Sequence, residues 1–302
     1  LQGMPGGADM KQFATTYSTT GINGEFGWFG SLPAVTEFTG SKQYKGLTPF
    51  THTITPKEWD LSLAFKERTF EDDVTGTAAT AAGAVVSRCN DHLNVRLTAF
   101  LESGTGSTYG TAYDAQYFFD DDHHGTTDAA HDNDLTGAAA TGTSPTASEA
   151  EAAIGAMLAA ARGFVDDASQ PYTANPNRFT VVYPTEFSHA MSVVLGSNGT
   201  LGTLAGNSVT NQDSGVTGRY YGMTGVCNPH LANADAIYLL AKPGMGSAGP
   251  LVINLRRPWE FMTYDSTNSE LCADSREVRM TSYGVYEVGY AVWQDAVSYI
   301  FT

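Results

Sequence analysis

The sequence is poor in cysteine and has no long apolar run. Its three cysteines, Cys89, Cys227 and Cys272, lie too far apart for the paired spacing of a zinc knuckle or a redox dithiol, so we expect buried thiols. No apolar run approaches the ~20 residues that a membrane-crossing helix needs, and no basic start followed by an apolar stretch indicates a secretory signal. These absences argue against a zinc-knuckle protein, a dithiol redox protein, a membrane protein and a secreted protein.

Basic residues are also scarce. The chain has 16 Lys and Arg against 32 Asp and Glu, which gives a net charge of −16. Tight nonspecific binding to nucleic acid depends on cations that displace counterions from phosphates, so this balance argues against such binding. The glycine passages GMTG and GMGSAG lack the lysine of a phosphate-binding loop, and no GxSxG serine elbow is evident. We therefore expect no cofactor and no catalytic constellation.

The apolar content predicts a globular, mixed α+β protein. With 302 residues and 42% hydrophobic composition, the chain can bury a substantial core in one elaborated domain or two compact ones. Residues 1–23 are rich in Gly, Thr and Ser without a steady apolar period, which predicts an arm outside the core. Alternating apolar residues from Trp59 to Phe65 predict a strand with one covered face, within a long hairpin whose tip is polar and projecting.

Two helices stand out in the pattern. Apolar residues recur at spacings of three and four over residues 74–101, which predicts a helix roughly 40 Å long at 1.5 Å per residue. Ser148 and Glu151 form a capping-box pattern ahead of a second, alanine-rich helix. Residues 179–183 are typical of a buried strand, Thr185 opens a further helix, and residues 236–301 are rich in strand formers.

The segment YDAQYFFDDDH, residues 113–123, runs from aromatic residues of strand character into carboxylates and imidazoles. Side chains with the ligand chemistry for zinc, manganese or calcium follow one another at Asp120, Asp122, His123, His124 and His131. Adjacent residues of a strand point to opposite faces, and no HExxH or EF-hand pattern is present. A metal site and a strand that ends in a solvated acidic turn are therefore both open interpretations.

Four segments in the same order resemble the major head (capsid) subunits of tailed phages, and most closely those of the Mu type. The first two are WFGSLPAVTEFTG, from Trp28, and EWDLSLAFKERTFEDDVTG, from Glu58. The third is the YDAQYFFDDDH segment, and the fourth is PNRFTVVYPTEFSHAMSVV, from Pro176. Together they extend over most of the chain, from about Glu25 to Trp293.

This resemblance implies the α+β capsid fold of the Hong Kong 97 type. Carried onto this sequence, it predicts an N-terminal arm at residues 1–24 and an extended loop at 25–73. A peripheral domain with a long spine helix follows at 74–147, then an axial domain at 148–265. Returning peripheral strands complete the chain at 266–302.

The resemblance also implies a structural function and no enzymatic one. We expect hexamers and pentamers of this chain to form an icosahedral shell around double-stranded DNA, as part of a virion capsid assembled in the host cytoplasm. Scaffold, portal and decoration proteins are the further partners implied, with no membrane and no tight DNA binding. Contacts between subunits are expected at Trp28, Phe29, Phe38, Lys42, Lys45, Trp59 and Phe65. The alternatives are a metal-dependent enzyme built around Asp120 to His131 and a surface-layer protein.

Overall fold

The computed structural model describes residues 9–21, 24–29, 49–72, 76–124, 130–165, 171–172, 178–195, 223–244 and 248–302. Within these ranges the chain contains two larger sheets, several helices and a separate two-stranded hairpin. The mixed α+β class predicted from the sequence is therefore confirmed. No helix in the described ranges is long and apolar enough to span a membrane.

The first sheet has four strands, which come from both ends of the chain. Strand β1 (Ala14–Ser18) runs parallel to β11 (Leu251–Tyr264), which pairs antiparallel with β12 (Glu277–Tyr290). The last position is taken by β4 (Lys57–Lys66), antiparallel to β12. Trp59, Leu61, Leu63 and Phe65 of β4 are half-buried and the residues between them are exposed, as the sequence pattern predicts.

The second sheet has five strands in the order β7, β13, β10, β8 and β9. Their bounds are Asp134–Gly137, Ala296–Phe301, Ala236–Ala241, Phe179–Tyr183 and Thr224–Cys227. Strand β10 is a continuous apolar run and β8 is buried over its first four residues, because both faces of this sheet are covered. The other strands of the chain are β2 (Gly24–Phe29) with β3 (Pro49–Ile54), and the short β5 (His123–His124) with β6 (Ala130–His131).

Helix α2 (Thr77–Glu102) connects the two sheets and confirms the long helix predicted from apolar spacing. Its buried side chains Leu97, Phe100 and Leu101 belong to the main core. At its last turns the Asn228 amide donates to the Thr98 hydroxyl at 2.8 Å, and Glu102 accepts the backbone N–H of Ala232 and of Asn233. The loop between β9 and β10 is thereby fixed to the helix end.

Four shorter helices complete the described fold. Helix α3 (Ala147–Gly163) and helix α4 (Ser188–Val194) cover the five-stranded sheet, and α4 follows a 3-10 turn at Thr185–Phe187. Helix α1 (Glu67–Glu71) follows β4, and α5 (Glu270–Ser275) connects β11 to β12.

The predicted arm is wrong over residues 10–18. Met10 and Phe13 are fully buried in the main core, and Ala14–Ser18 form β1. The sequence pattern misses this strand because Thr16 and Ser18 face solvent while the backbone pairs with β11. Residues 1–8 of the predicted arm lie outside the described residues.

The predicted aromatic strand at 113–123 is also wrong. The chain turns at Ala115, which has a positive φ of 69°, and Ala112 donates from its N–H to the carbonyl of Gln116 at 2.8 Å. Phe118 and Phe119 are buried, so their apolar character reflects core packing in a looped segment.

Two local features also differ from the sequence analysis. The cap of α3 is Thr146 with Glu149, two residues before the predicted Ser148 and Glu151. The hairpin consists of β2 and β3, with residues 30–48 between them outside the described residues, while β4 pairs with β12. The predicted polar tip of the hairpin lies in that undescribed range.

The sheets do not divide at the predicted domain boundary between residues 265 and 266. Strand β11 lies in the four-stranded sheet, although residues 148–265 were assigned to the axial domain. Strand β13 lies in the five-stranded sheet, although residues 266–302 were assigned to returning peripheral strands. The chain therefore enters and leaves each sheet more than once.

Candidate functional site

The base of the β2–β3 hairpin is fixed to the four-stranded sheet. Asn254, a fully buried residue of β11, donates from its side-chain amide to the Ile54 carbonyl at 2.8 Å. Ile54 packs with Val252, Ala291 and Val292 in a small second core. A side chain at Gly24 would overlap the Asn254 amide, so the close approach of β2 requires glycine there.

Tyr17 of β1 adds a second attachment. Its ring lies 5.1 Å from that of Phe26, and its hydroxyl donates to the Gly24 carbonyl at 3.3 Å. Burial raises the pKa of Tyr17 to about 12. Beyond these contacts, β2 and β3 pair with each other and, among the described residues, with no strand of either larger sheet.

The hairpin carries several of the predicted contact residues. Trp28 and Phe29 lie in β2, in register with Phe50 and Pro49. Phe38, Lys42 and Lys45 lie outside the described residues. The structure therefore brings Trp28 and Phe29 to the end of the described hairpin nearest its tip and leaves their role in contacts between subunits a prediction.

Trp59, another predicted contact residue, packs within its own chain. Its indole N–H donates to the Tyr286 carbonyl at 2.9 Å, and its ring lies 4.5 Å from the imidazole of His92 on α2. Phe65 is half-buried on the same face of β4. The Trp59 side chain thus faces α2, a role that the alternating pattern alone does not distinguish from a contact between subunits.

A buried ion network joins α2 to the four-stranded sheet. Arg96 of α2 pairs with Glu287 of β12 at 2.9 Å, and the two side chains are 13% and 6% exposed. Lys57 of β4 reaches the other Glu287 oxygen at 2.9 Å. The guanidinium also lies 5.1 Å from the ring centroids of Trp59 and Tyr109. Such a pair fixes the helix in one position on the sheet, because a displaced helix would leave a buried charge unpaired.

His92 lies beside this network. Its Nδ1 is 2.6 Å from the Tyr286 hydroxyl. Burial, and then the positive charge of Arg96, lowers the pKa of His92. The imidazole is therefore held in its neutral form more strongly than a free histidine.

The described carboxylate and imidazole side chains of residues 120–131 do not all meet at one point, as the metal hypothesis requires. Carboxylate oxygens of Asp120, Asp121 and Asp122 lie within 4.8 Å of one another. His123 is fully buried, its Nδ1 lies 2.7 Å from an oxygen of Asp114, and its Nε2 lies 3.3 Å from the Phe118 carbonyl. Both ring nitrogens already have oxygen partners, so His123 is not directed at the three carboxylates.

The remaining candidates of this segment have other surroundings. Asp122 accepts from the Gln116 amide at 2.8 Å, and Asp120 accepts the N–H of Asp121 at 2.9 Å. His131 is half-buried, and burial followed by the nearby His123 lowers its pKa. The backbone of His124 lies in β5, and its side chain is outside the described residues. This arrangement orders a turn in which the His123 imidazole hydrogen-bonds Asp114 and the Phe118 carbonyl and not the three carboxylates.

The residue that organises the turn is Asn133, which sequence reasoning missed. It is fully buried, its amide donates to the Phe118 carbonyl at 2.9 Å, and its side-chain oxygen accepts the N–H of Asp120 at 2.9 Å. Beside it, His123 stacks on the buried Trp293 with ring centroids 4.2 Å apart. A single Asn in an acidic loop gives no periodic signal, so its role becomes visible only in three dimensions.

The outer end of the four-stranded sheet exposes apolar side chains. Phe261 and Met262 of β11 are 45% and 51% exposed, and Leu271 of α5 is 61% exposed. Residues 251–254 of the same strand are buried. The sheet therefore extends beyond the core and presents apolar surface at its end.

The fold is that of tailed-phage capsid subunits, the Hong Kong 97 type predicted above. The capsid of cyanophage P-SCSP1u matches all of this chain and 90% of its own, with a TM-score of 0.61 at 10% identity. The mature capsid of bacteriophage PhiM1 matches all of this chain and 89% of its own, with a TM-score of 0.57 at 12% identity. The capsid of bacteriophage JBD30 matches 97% of this chain and 64% of its own, with a TM-score of 0.52 at 13% identity.

Sequence comparison shows which kind of capsid subunit this chain is similar to. Residues 6–149 match the family described as Mu-like prophage major head subunit gpT, which confirms the resemblance found in the sequence. The Mu-like prophage FluMu major head subunit of Haemophilus influenzae is 26% identical over 113 residues. That alignment covers 37% of this chain and 35% of the relative, so it extends over about a third of each.

Proposed function

We propose that this chain is a major head subunit that self-associates into the hexamers and pentamers of an icosahedral phage capsid. The observation that carries the proposal is a capsid fold over the whole chain combined with a hairpin that is anchored at its base and pairs, where described, with neither larger sheet. A hairpin attached in this way is suited to reach a neighbouring copy. The buried Arg96–Glu287 network supports the same function, since it fixes α2 rigidly to the four-stranded sheet. A rigid unit of this kind is suited to form contacts with neighbouring copies.

The two sheets suggest a revised domain division. We propose that the four-stranded sheet with α2 is the peripheral domain, and that the five-stranded sheet with α3 and α4 is the axial domain. On this division β11 and β12 are peripheral and β13 is axial.

The acidic charge supports a shell that encloses DNA without tight binding. A net charge of −16 on each copy repels phosphates and keeps packaged DNA mobile. The JBD30 capsid is decorated with minor capsid protein trimers, and we propose an outer partner of this kind here, along with scaffold and portal proteins. Assembly in the host cytoplasm belongs to the same proposal.

Imaging of the purified chain tests the function. The wild-type protein is expected to form rings or closed shells by negative-stain microscopy. A variant in which a short Gly/Ser linker replaces residues 30–48 is expected to keep the wild-type circular dichroism spectrum and to stay unassembled. Flat lattices would favour a surface-layer protein instead. A well-folded solitary monomer that binds zinc or manganese stoichiometrically, and loses it in His123→Ala, would favour the metal-dependent enzyme.

A further inference from the structure

A cleft of about 330 Å³ opens on the four-stranded sheet, where β11 departs from regular pairing. The register between β11 and β12 shifts between Leu255 and Arg257 and again between Arg257 and Glu260. The polar residues that line the cleft are Thr19, Thr20, Glu58, Arg256, Arg257 and Tyr283. They come from β4, β11, β12 and the chain just after β1, so the cleft belongs to the folded sheet and not to a single loop.

The irregular pairing explains why two cations share this cleft. In a regular strand, adjacent side chains point to opposite faces. A bulge breaks that alternation and redirects a side chain. Arg256 and Arg257 follow one another in the chain and both line the same cleft, which regular pairing would not allow.

Among the described residues, the charge of the two arginines is only partly matched. Arg256 is exposed and has no ion-pair partner among the described residues, and Arg257 has a loose contact of 3.7 Å with Glu260. The described lining contains one carboxylate, Glu58, which lies near the Tyr283 hydroxyl. Other cations form ion pairs within the chain, among them Lys57, Lys66, Arg96, Arg178, Arg276 and Arg279.

We propose that this cleft is a contact between subunits, and that it receives a carboxylate-bearing segment of a second copy of this chain. The inference rests on the proposed function and names a partner surface for it. Each copy carries a charge of −16 and has twice as many acidic as basic side chains, so copies repel one another except where cations are exposed. Paired guanidinium groups match a carboxylate in shape and charge.

Charge complementarity also selects the second copy over nucleic acid. Tight DNA binding needs several cations along the phosphate backbone, and the described lining of the cleft supplies two. The contact is heterologous, since a cationic cleft on one copy meets an acidic surface on the next. Contacts of this kind close into rings when the rotation between copies is suitable.

Charge reversal with a matched control tests the inference. Arg256→Glu/Arg257→Glu is compared with Arg88→Glu/Arg162→Glu, in which both arginines are exposed helix residues outside the cleft. Both variants change the net charge by the same amount, so general repulsion is equal. We expect the cleft variant to yield about tenfold less assembled particle by sedimentation than the control, because like charges would now meet at the contact. Thermal melting checks that both variants are folded.

The outcomes separate the inference from the proposed function. If wild-type protein forms no rings or shells under any condition, the proposed function fails. If the wild type assembles and the cleft variant assembles as well as the control, the inference is overturned and the function stands. If the cleft variant assembles normally but copurifies with less nucleic acid than the control, a phosphate occupies the cleft and the inference is likewise overturned.

A second variant covers the case in which charge reversal unfolds the chain. Arg256→Lys keeps the positive charge and supplies an amine that a carbodiimide links to a touching carboxylate. The variant is assembled from a mixture of ¹⁴N and ¹⁵N chains, cross-linked, digested and analysed by mass spectrometry. Cross-linked peptides of mixed label at position 256 are the expected result. Links confined to Glu58 or Glu260 of the same chain, or no links, would contradict the proposed contact.

Discussion

The Asn254 side-chain amide lies 2.8 Å from the carbonyl oxygen of Ile54, 200 positions away in the chain. This bond connects the end of β3 to the middle of the four-stranded sheet. Both groups are buried, so water cannot replace a lost partner. This amide therefore holds the base of the hairpin together with the Tyr17 contacts and the apolar packing of Ile54.

Asn254→Ala is expected to destabilise the protein by about 1–3 kcal/mol, the range for leaving a buried carbonyl without its partner. Equilibrium denaturation of wild type and variant measures the loss. Asn233→Ala, at an exposed loop position, serves as the control and should stay near wild type. Equal stability of the two variants would show that the hairpin base is held by apolar packing alone.

Arg96→Met is expected to cost about 3 kcal/mol, because it leaves Glu287 buried with Lys57 as its remaining ionic partner. The free energy of unfolding in denaturant reports the change. Arg88→Met on the exposed face of the same helix is the matched control, with an expected change within about 0.5 kcal/mol. Similar losses in the two variants would mean that the effect comes from helix propensity and not from the ion network.

Thr146→Ala should destabilise the protein by about 0.5–2 kcal/mol through loss of the α3 cap. The Thr146 hydroxyl accepts the N–H of Glu149 at 3.3 Å, and Glu149 accepts the N–H of Thr146 at 2.7 Å. Ser148→Ala distinguishes this cap from the one predicted by the sequence. A larger loss for Ser148→Ala than for Thr146→Ala, measured by thermal melting, would restore the sequence-based assignment.

His92 predicts a loss of stability on mild acidification. Its pKa is lowered in the folded state from 6.5, so the unfolded chain binds the proton more readily. Stability is complete above about pH 6.5 and declines as the pH falls through 6.5 towards the lowered folded value. His92→Gln should therefore show a flatter dependence of unfolding free energy between about pH 7.5 and 5.5. His189→Gln, on the exposed side of α4, should keep the wild-type slope; matching slopes in all three proteins would exclude His92 as the source.

The spacing of apolar residues predicted those helices and strands that have one buried face. Helix α2 and strand β4 were found because their apolar residues recur at 3.6 and 2.0 positions. The alternation in β4 showed which face is covered, but it did not show that α2 of the same chain covers Trp59.

Features that depend on distant partners were not predictable from local pattern. Strand β1 is defined by parallel pairing with β11, and Asn133 acquires its role from carbonyls at Phe118, Trp293 and Ala296. The turn at 113–123 depends on Ala115 adopting a positive φ. Alanine rarely adopts this conformation, so its presence in the sequence does not predict such a turn. The candidate contact residues of the hairpin were identified by aromatic and basic composition, and their role in contacts between subunits stays a prediction, because a single chain contains no second copy.

The four-stranded sheet pairs strands from distant parts of the chain, and this determines how early during synthesis the sheet can form. Ala14 pairs with Leu251, and Lys57 pairs with Tyr286. At a synthesis rate of about 5–20 residues per second, β1 waits roughly 10–50 s for its partner strand to leave the ribosome. A nascent chain therefore has no finished sheet to offer its neighbours on the same messenger RNA. If the chain forms the proposed shell, each copy would have its complete four-stranded sheet only once β12 has been synthesised.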